Sequence, residues 1–173
     1  MRPPEGANLH QWLTRNEMGI YSPLVDLMGN YQLGGKTVLY MLDALICAPS
    51  EGASITKENA RWQQSPFHGS YTSSIFISQD PVAIDSVGAD FLANEPAVSR
   101  SNPAAGNPCS ENYLHEAGLV GNPPSGNSYY NGNGEPLSNL GVHEHWNNGR
   151  DKQYGRNLGR EEGIELVFLK EGQ

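Results

Sequence analysis

The sequence is poor in cysteine, in basic residues and in long apolar runs. Cys47 and Cys109 are its only thiols in 173 residues. Two cysteines cannot build a disulfide framework, and by themselves they hold neither a structural zinc nor an iron–sulfur cluster. They form one disulfide or remain two buried free thiols. Lys and Arg total 11 against 19 Asp and Glu, giving a net charge of -8 and a pI near 5.0. Nucleic acid needs clustered cations, as do anionic membrane surfaces, so neither is an expected partner. No stretch approaches about 18 consecutive apolar residues, the length a bilayer-spanning helix needs. The opening "MRPPEGANLHQWL" lacks the basic, then apolar, then small-residue order of a signal peptide. Gly34-Gly35-Lys36-Thr37 lacks the four-residue gap of a phosphate loop and precedes a strand pattern rather than a helix.

What is present divides the chain in two. Apolar residues make up 37% and the mean hydropathy is -0.54, lean for a chain that should bury roughly two-thirds of its unfolded surface. They gather in 20–47, 74–93 and 163–169, whereas 94–160 is dominated by Gly, Pro, Asn and Ser. One α/β domain over 1–173 is expected, with a small packed core carrying long, ordered, polar loops.

The elements follow from local chemistry. Leu9, Trp12 and Leu13 sit at helical spacing in 7–18. "SPLVDLMGN" opens a helix with Ser22 as N-cap and Pro23 at its first position, and Gly29-Asn30 stops it. Thr37–Leu42 and "SSIFISQ" are continuous apolar runs, suited to strands covered on both faces. Asp43 ends the first and Asp80 the second. Asp80-Pro81 then caps a largely buried helix carrying Val82, Ala83, Ile84, Val87, Ala89, Phe91 and Leu92. "SENYLHEAGL" predicts another helix with Ser110 as cap, and "GIELVFL" (163–169) a last strand. Strands alternating with helices predict a small parallel or mixed sheet with helices packed on it. Three strands are few for such a sheet. Either another copy of the chain completes it, as a homo-oligomer, or the chain is part of a larger α/β fold.

The carboxylates are the first candidates for chemistry. Open α/β sheets bind ligands beyond the carboxyl ends of their strands, and parallel neighbours would bring Asp43 and Asp80 to one crevice. Asp85 lies one turn inside an apolar helix, so its charge needs a cationic partner or a place in that crevice. Asp90 is expected to be exposed and without a role. Asp43, Asp80 and Asp85 form the catalytic pool, with Glu116 and Glu144 as further candidates. The reaction that uses such pairs is glycoside hydrolysis, with carboxyls about 5–5.5 Å apart for retention or roughly 6.5–9.5 Å for inversion. Tyr129, Tyr130 and Trp146, set among the chain's sixteen Asn, offer flat apolar faces beside amides, a platform for sugar rings; alternatively they staple long loops to the core.

The histidines are the second. In an extended "LGVHEHWNN", His143 and His145 point one way and Glu144 the other. Two such imidazoles suit one divalent metal, with His115, Glu116 or His68 as a third ligand. A divalent metal is the one candidate cofactor. The third option is a binding or assembly module without catalysis.

"SSIFISQDPVAIDSVGADFL" resembles the signature of the bacterial family called domain of unknown function 362. "SPLVDLMGNYQLGGKTVLYMLDAL", "NYLHEAGL", "NPPSG" and "LGVHEHWNNGRDKQYGRNLG" are similar to its secreted-type branch. The resemblance implies that the chain corresponds to the C-terminal part of longer proteins, with further strands supplied by an N-terminal half. It leans towards a secreted or periplasmic location and an association with polysaccharide degradation, and it assigns no activity. Some members carry ferredoxin-like iron–sulfur modules, whose cysteine pattern this chain lacks.

Overall fold

The computed structural model describes residues 17–50, 52–96, 98 and 111–170. The helix expected in 7–18 lies mostly outside them, as do Ser110 and Cys109. Helix α1 (Pro23–Gly29) starts at Ser22 and Pro23 as their chemistry predicts, although the Ser22 hydroxyl makes no capping bond. Strand β1 spans Tyr40–Ala44. A short hairpin of β2 (Arg61–Trp62) and β3 (Ser70–Tyr71) follows. Strand β4 is Ser74–Ser78. Helix α2 (Pro81–Asn94) is capped by Asp80, whose Oδ1 accepts from the Val82 and Ala83 amides at 2.8 Å each. Helix α3 is Asn112–Gly118. No described helix is long and apolar enough to cross a membrane.

The fold is mixed α/β, but its sheets are antiparallel. β1 pairs with β4 in a two-stranded ladder running from Tyr40↔Ser78 to Ala44↔Ser74. The expected parallel arrangement fails for a simple reason. Apolar content marks a strand but not its direction, and the connection between these two carries a hairpin instead of a crossover helix. Residues 163–169, expected as the last strand, form no ladder among the described residues.

Helix α2 organises two cores. Val87 and Phe91 pack with Trp62, Phe67, Trp146, Tyr154 and Ile164. Val82 packs with Tyr21, Val25, Leu114, Ala117, Val120 and Tyr129. A helix buried on nearly every side explains why its sequence is apolar all round. Cys47 is a free thiol whose sulfur accepts from the Thr72 hydroxyl at 3.5 Å.

Candidate metal centre

Two polar residues interrupt the buried surface of α2, and both face the 140–148 loop. Ser86 and Asp90 lie four residues apart, hence on one side of the helix. The Ser86 hydroxyl donates to the Val82 carbonyl at 2.7 Å and stands 2.8 Å from His143 Nδ1. With its proton committed to that carbonyl, the oxygen accepts, so His143 carries its proton on Nδ1. Nε2 is thereby left as a bare lone pair. It is buried and has no hydrogen-bond partner. Asp90 takes more donors. Its Oδ1 accepts from His145 Nδ1 at 2.7 Å, and its Oδ2 from the Trp146 amide at 3.0 Å and the Tyr154 hydroxyl at 3.1 Å.

The loop is held in register by the helix cap. Oδ2 of Asp80 accepts from the Val142 amide at 2.9 Å, so one aspartate starts α2 and anchors the histidine strand. Gly141 makes this approach feasible. Its φ is +146°, and a Cβ there would sit 2.0 Å from Asp80 Oδ1. Beyond it the backbone alternates. His143 and His145 point to one side, their rings 5.0 Å apart between centroids. Glu144 points to the other, accepting from the Arg156 and Ile164 amides at 3.1 and 2.6 Å.

Helix α3 brings the remaining ligand types. Glu111 is at its N-cap position and His115 one turn on. The His115 ring lies 4.5 Å from that of His143. Glu111 Oε2 is 3.3 Å from His145 Nε2 and 3.9 Å from His115 Nε2. Glu111, His115, His143 and His145 each offer one ligand atom, all within 4.8 Å of one another. Tetrahedral zinc, with bonds of about 2.0–2.1 Å, sets its ligand atoms about 3.3–3.4 Å apart. The four groups would therefore have to draw together around an ion. The group could hold a metal ion.

The electrostatics favour neutral donors on one side and pairing on the other. Burial, with His115 and His145 nearby, pulls the His143 imidazole down to about 4, so it is uncharged at neutral pH. Burial also disfavours charge on His145, but the bond and charge of Asp90 and then Glu111 outweigh it and raise its pKa. Burial raises the Tyr154 phenol, and Asp90 adds to that, so it remains a donor.

The expected carboxylate pool is not gathered at one opening. Antiparallel pairing sets Asp43 opposite Ile75, at the far end of the ladder from Ser78 and Asp80. Asp43 bonds the Leu45 amide at 2.9 Å, a local turn contact. Asp80 has both oxygens committed to backbone amides. Asp85 is partnered by the Tyr113 hydroxyl at 3.1 Å instead of a Lys or Arg; burial raises its pKa and that bond lowers it in part. Glu116 is fully buried, accepting from the Ser125 amide, the Ser125 hydroxyl and the Tyr129 hydroxyl at 2.7, 2.5 and 2.6 Å.

The aromatic platform is also corrected. Tyr129 is 1% exposed and stacked on Tyr21 at 5.3 Å. Trp146 is buried against Phe91 at 4.9 Å. Both staple loops to the core, and Tyr130 alone of the three is exposed. Among the metal candidates, His115, His143 and His145 come together, while His68 and Glu116 stay apart from them. Asp90, expected on the surface, is buried. Ser86, Asp90 and Glu111 were missed. The available signal was their spacing: Ser86 with Asp90, and Glu111 with His115, each four residues apart on a helix. Comparison of the chain with protein-family models, with curated proteins and with solved structures finds no match.

Proposed function

We propose that the protein binds one divalent transition-metal ion of the zinc class through His115, His143, His145 and Glu111. The observation that carries this is the Nε2 atom of His143, buried and unpartnered beside three other ligand groups. A buried polar atom with no partner is costly, and a cation is what a neutral imidazole lone pair beside a carboxylate accepts. The surroundings fit. Metal-bound histidines hold their second ring nitrogen against a carboxylate or another acceptor, which fixes tautomer and orientation. Asp90 does this for His145 and Ser86 for His143. Three imidazoles and one carboxylate select zinc over calcium or magnesium, which prefer all-oxygen shells.

The ion would sit at the surface, since the His145 side chain is 44% exposed. Four protein ligands close a tetrahedral shell, as in structural zinc sites. Glycan hydrolysis by paired carboxylates would need an acid and a base in one cleft; the metal reading needs no such pair. Calorimetric titration of tag-free protein with zinc, and absorption spectroscopy with cobalt(II), test the proposal. One equivalent should bind, with the visible bands of tetrahedral cobalt, and His143→Gln should abolish both while retaining the far-ultraviolet circular dichroism. Absence of heat and of cobalt bands in the folded wild-type protein would overturn it.

A further inference from the structure

The four groups of the metal centre are not held alike. His143 is fixed by the Ser86 hydroxyl, itself tied to the Val82 carbonyl. His145 is fixed by Asp90, a buried carboxylate with two further donors. His115 stands one turn along α3, its amide bonded to the Glu111 carbonyl at 3.1 Å and its ring set edge-on against that of His143. Glu111 has no such support. Its side chain makes no cap hydrogen bond. Among the described residues its carboxylate pairs only with Nε2 of His145 and Nε2 of His115. Metal-bound carboxylates are ordinarily hydrogen-bonded from behind, and this one is not.

Building on the zinc reading above, we propose that Glu111 is a releasable ligand: the three histidines keep the ion, and a small external carboxylate takes the fourth position. Imidazoles bind as neutral donors, so the ion keeps its full charge and favours an anion as its fourth partner. That position is already shaped for a carboxylate oxygen. Glu111 Oε2 lies 3.3 Å from His145 Nε2, the separation of neighbouring ligands on tetrahedral zinc. An external carboxylate also has a path to it. The His115 and His145 side chains are both more exposed than that of Glu111, so the cluster opens to solvent along them. Glu111 competes from within, at the effective concentration of a tethered group. The exchange breaks one metal–oxygen bond and forms another, with no change of charge or oxidation state.

The visible bands of the cobalt(II)-loaded, tag-free full chain test this. Sodium acetate should shift the bands saturably, and sodium chloride at equal ionic strength should not. Glu111→Ala and Glu111→Gln should still take up one equivalent of cobalt, at most about 100-fold more weakly. With the internal competitor gone, acetate should half-saturate both variants at a concentration lower by about tenfold or more. Loss of the metal from both variants with far-ultraviolet circular dichroism unchanged would overturn the proposal, because Glu111 would then be a ligand that the site cannot release. So would wild-type bands that ignore acetate or that answer chloride equally. Absence of cobalt bands from the folded wild-type protein is a separate result: it ends the zinc reading itself, and this inference with it.

Discussion

The two halves of this chain contradict what their compositions promise. The Asn- and Gly-rich stretch contributes Tyr129, Trp146, Lys152 and Tyr154, all buried, and it carries the histidine cluster. The apolar stretches contribute the most exposed hydrophobic surface: Val38, Met41, Ile46, Ile77, Val167 and Leu169 are each more than half exposed. The difference lies in what anchors each. The polar loop is tied down by carboxylates accepting backbone and hydroxyl donors, with Asp90 and Glu116 buried and Asp80 and Glu144 half-buried as hubs. The sheet has two strands and cannot bury both faces, so its apolar residues lack a second layer. Hydrophobic content measures the capacity to be buried, whereas buried polar hubs fix where a loop goes.

Breaking the Asp90 hub should have the largest effect. Asp90→Ala strands the Trp146 amide, the Tyr154 hydroxyl and the His145 ring. Each buried donor left unmet costs about 1–3 kcal/mol, so a loss of about 3 kcal/mol or more is expected. That corresponds to a fall of about 6–12 °C in melting temperature for a chain of this size. Asp90→Asn keeps acceptor capacity, so it should fold better yet weaken zinc binding about 10–100-fold. Glu116→Gln comes next. It turns an amide group towards the Ser125 and Tyr129 donors and should cost about 2 kcal/mol. Glu116 lies outside the metal cluster, so zinc affinity should stay unchanged in calorimetry. That contrast separates a hub that only folds the loop from one that also orients a ligand.

Acid titration sharpens the comparison further. The His143 pKa falls from an ordinary 6.5 to about 4 on folding. Between these values the unfolded chain binds a proton that the folded chain refuses, so metal-free stability should decline as pH drops from about 6.5 to 4. His143→Gln removes this contribution, and its melting temperature should change less over that interval. His145 acts in the opposite sense. Its raised pKa contributes stability below the unfolded value, lost as pH rises through the folded one. Zinc needs both rings deprotonated towards the ion, so its affinity should climb through the neutral range.

Some of this was legible in the sequence. Ser22-Pro23 and Asp80-Pro81 mark helix starts because capping and proline preference are local. The same-side placement of His143 and His145 follows from strand alternation. Strand direction was not legible, because β1 and β4 read the same parallel or antiparallel. Asp90 was misread because no local feature separates an exposed helical aspartate from one that meets a loop 55 residues away. Tyr129 and Trp146 were open between platform and staple; only tertiary contacts decide that.

The smallest effect should come from the exposed sheet face. Ile77 is 58% exposed and points away from α2, so Ile77→Thr should change stability by no more than about 0.5 kcal/mol. Threonine keeps the branched Cβ that strands favour, which makes the substitution a test of burial rather than of propensity. Urea denaturation at two protein concentrations a hundredfold apart reads the outcome. A small, concentration-independent change means that this face meets water in solution, and the contrast between the two halves stands. A loss above about 1 kcal/mol that grows with concentration would mean that a second copy covers Ile77. The apolar half would then be as well buried as the polar one, with its missing layer supplied by association.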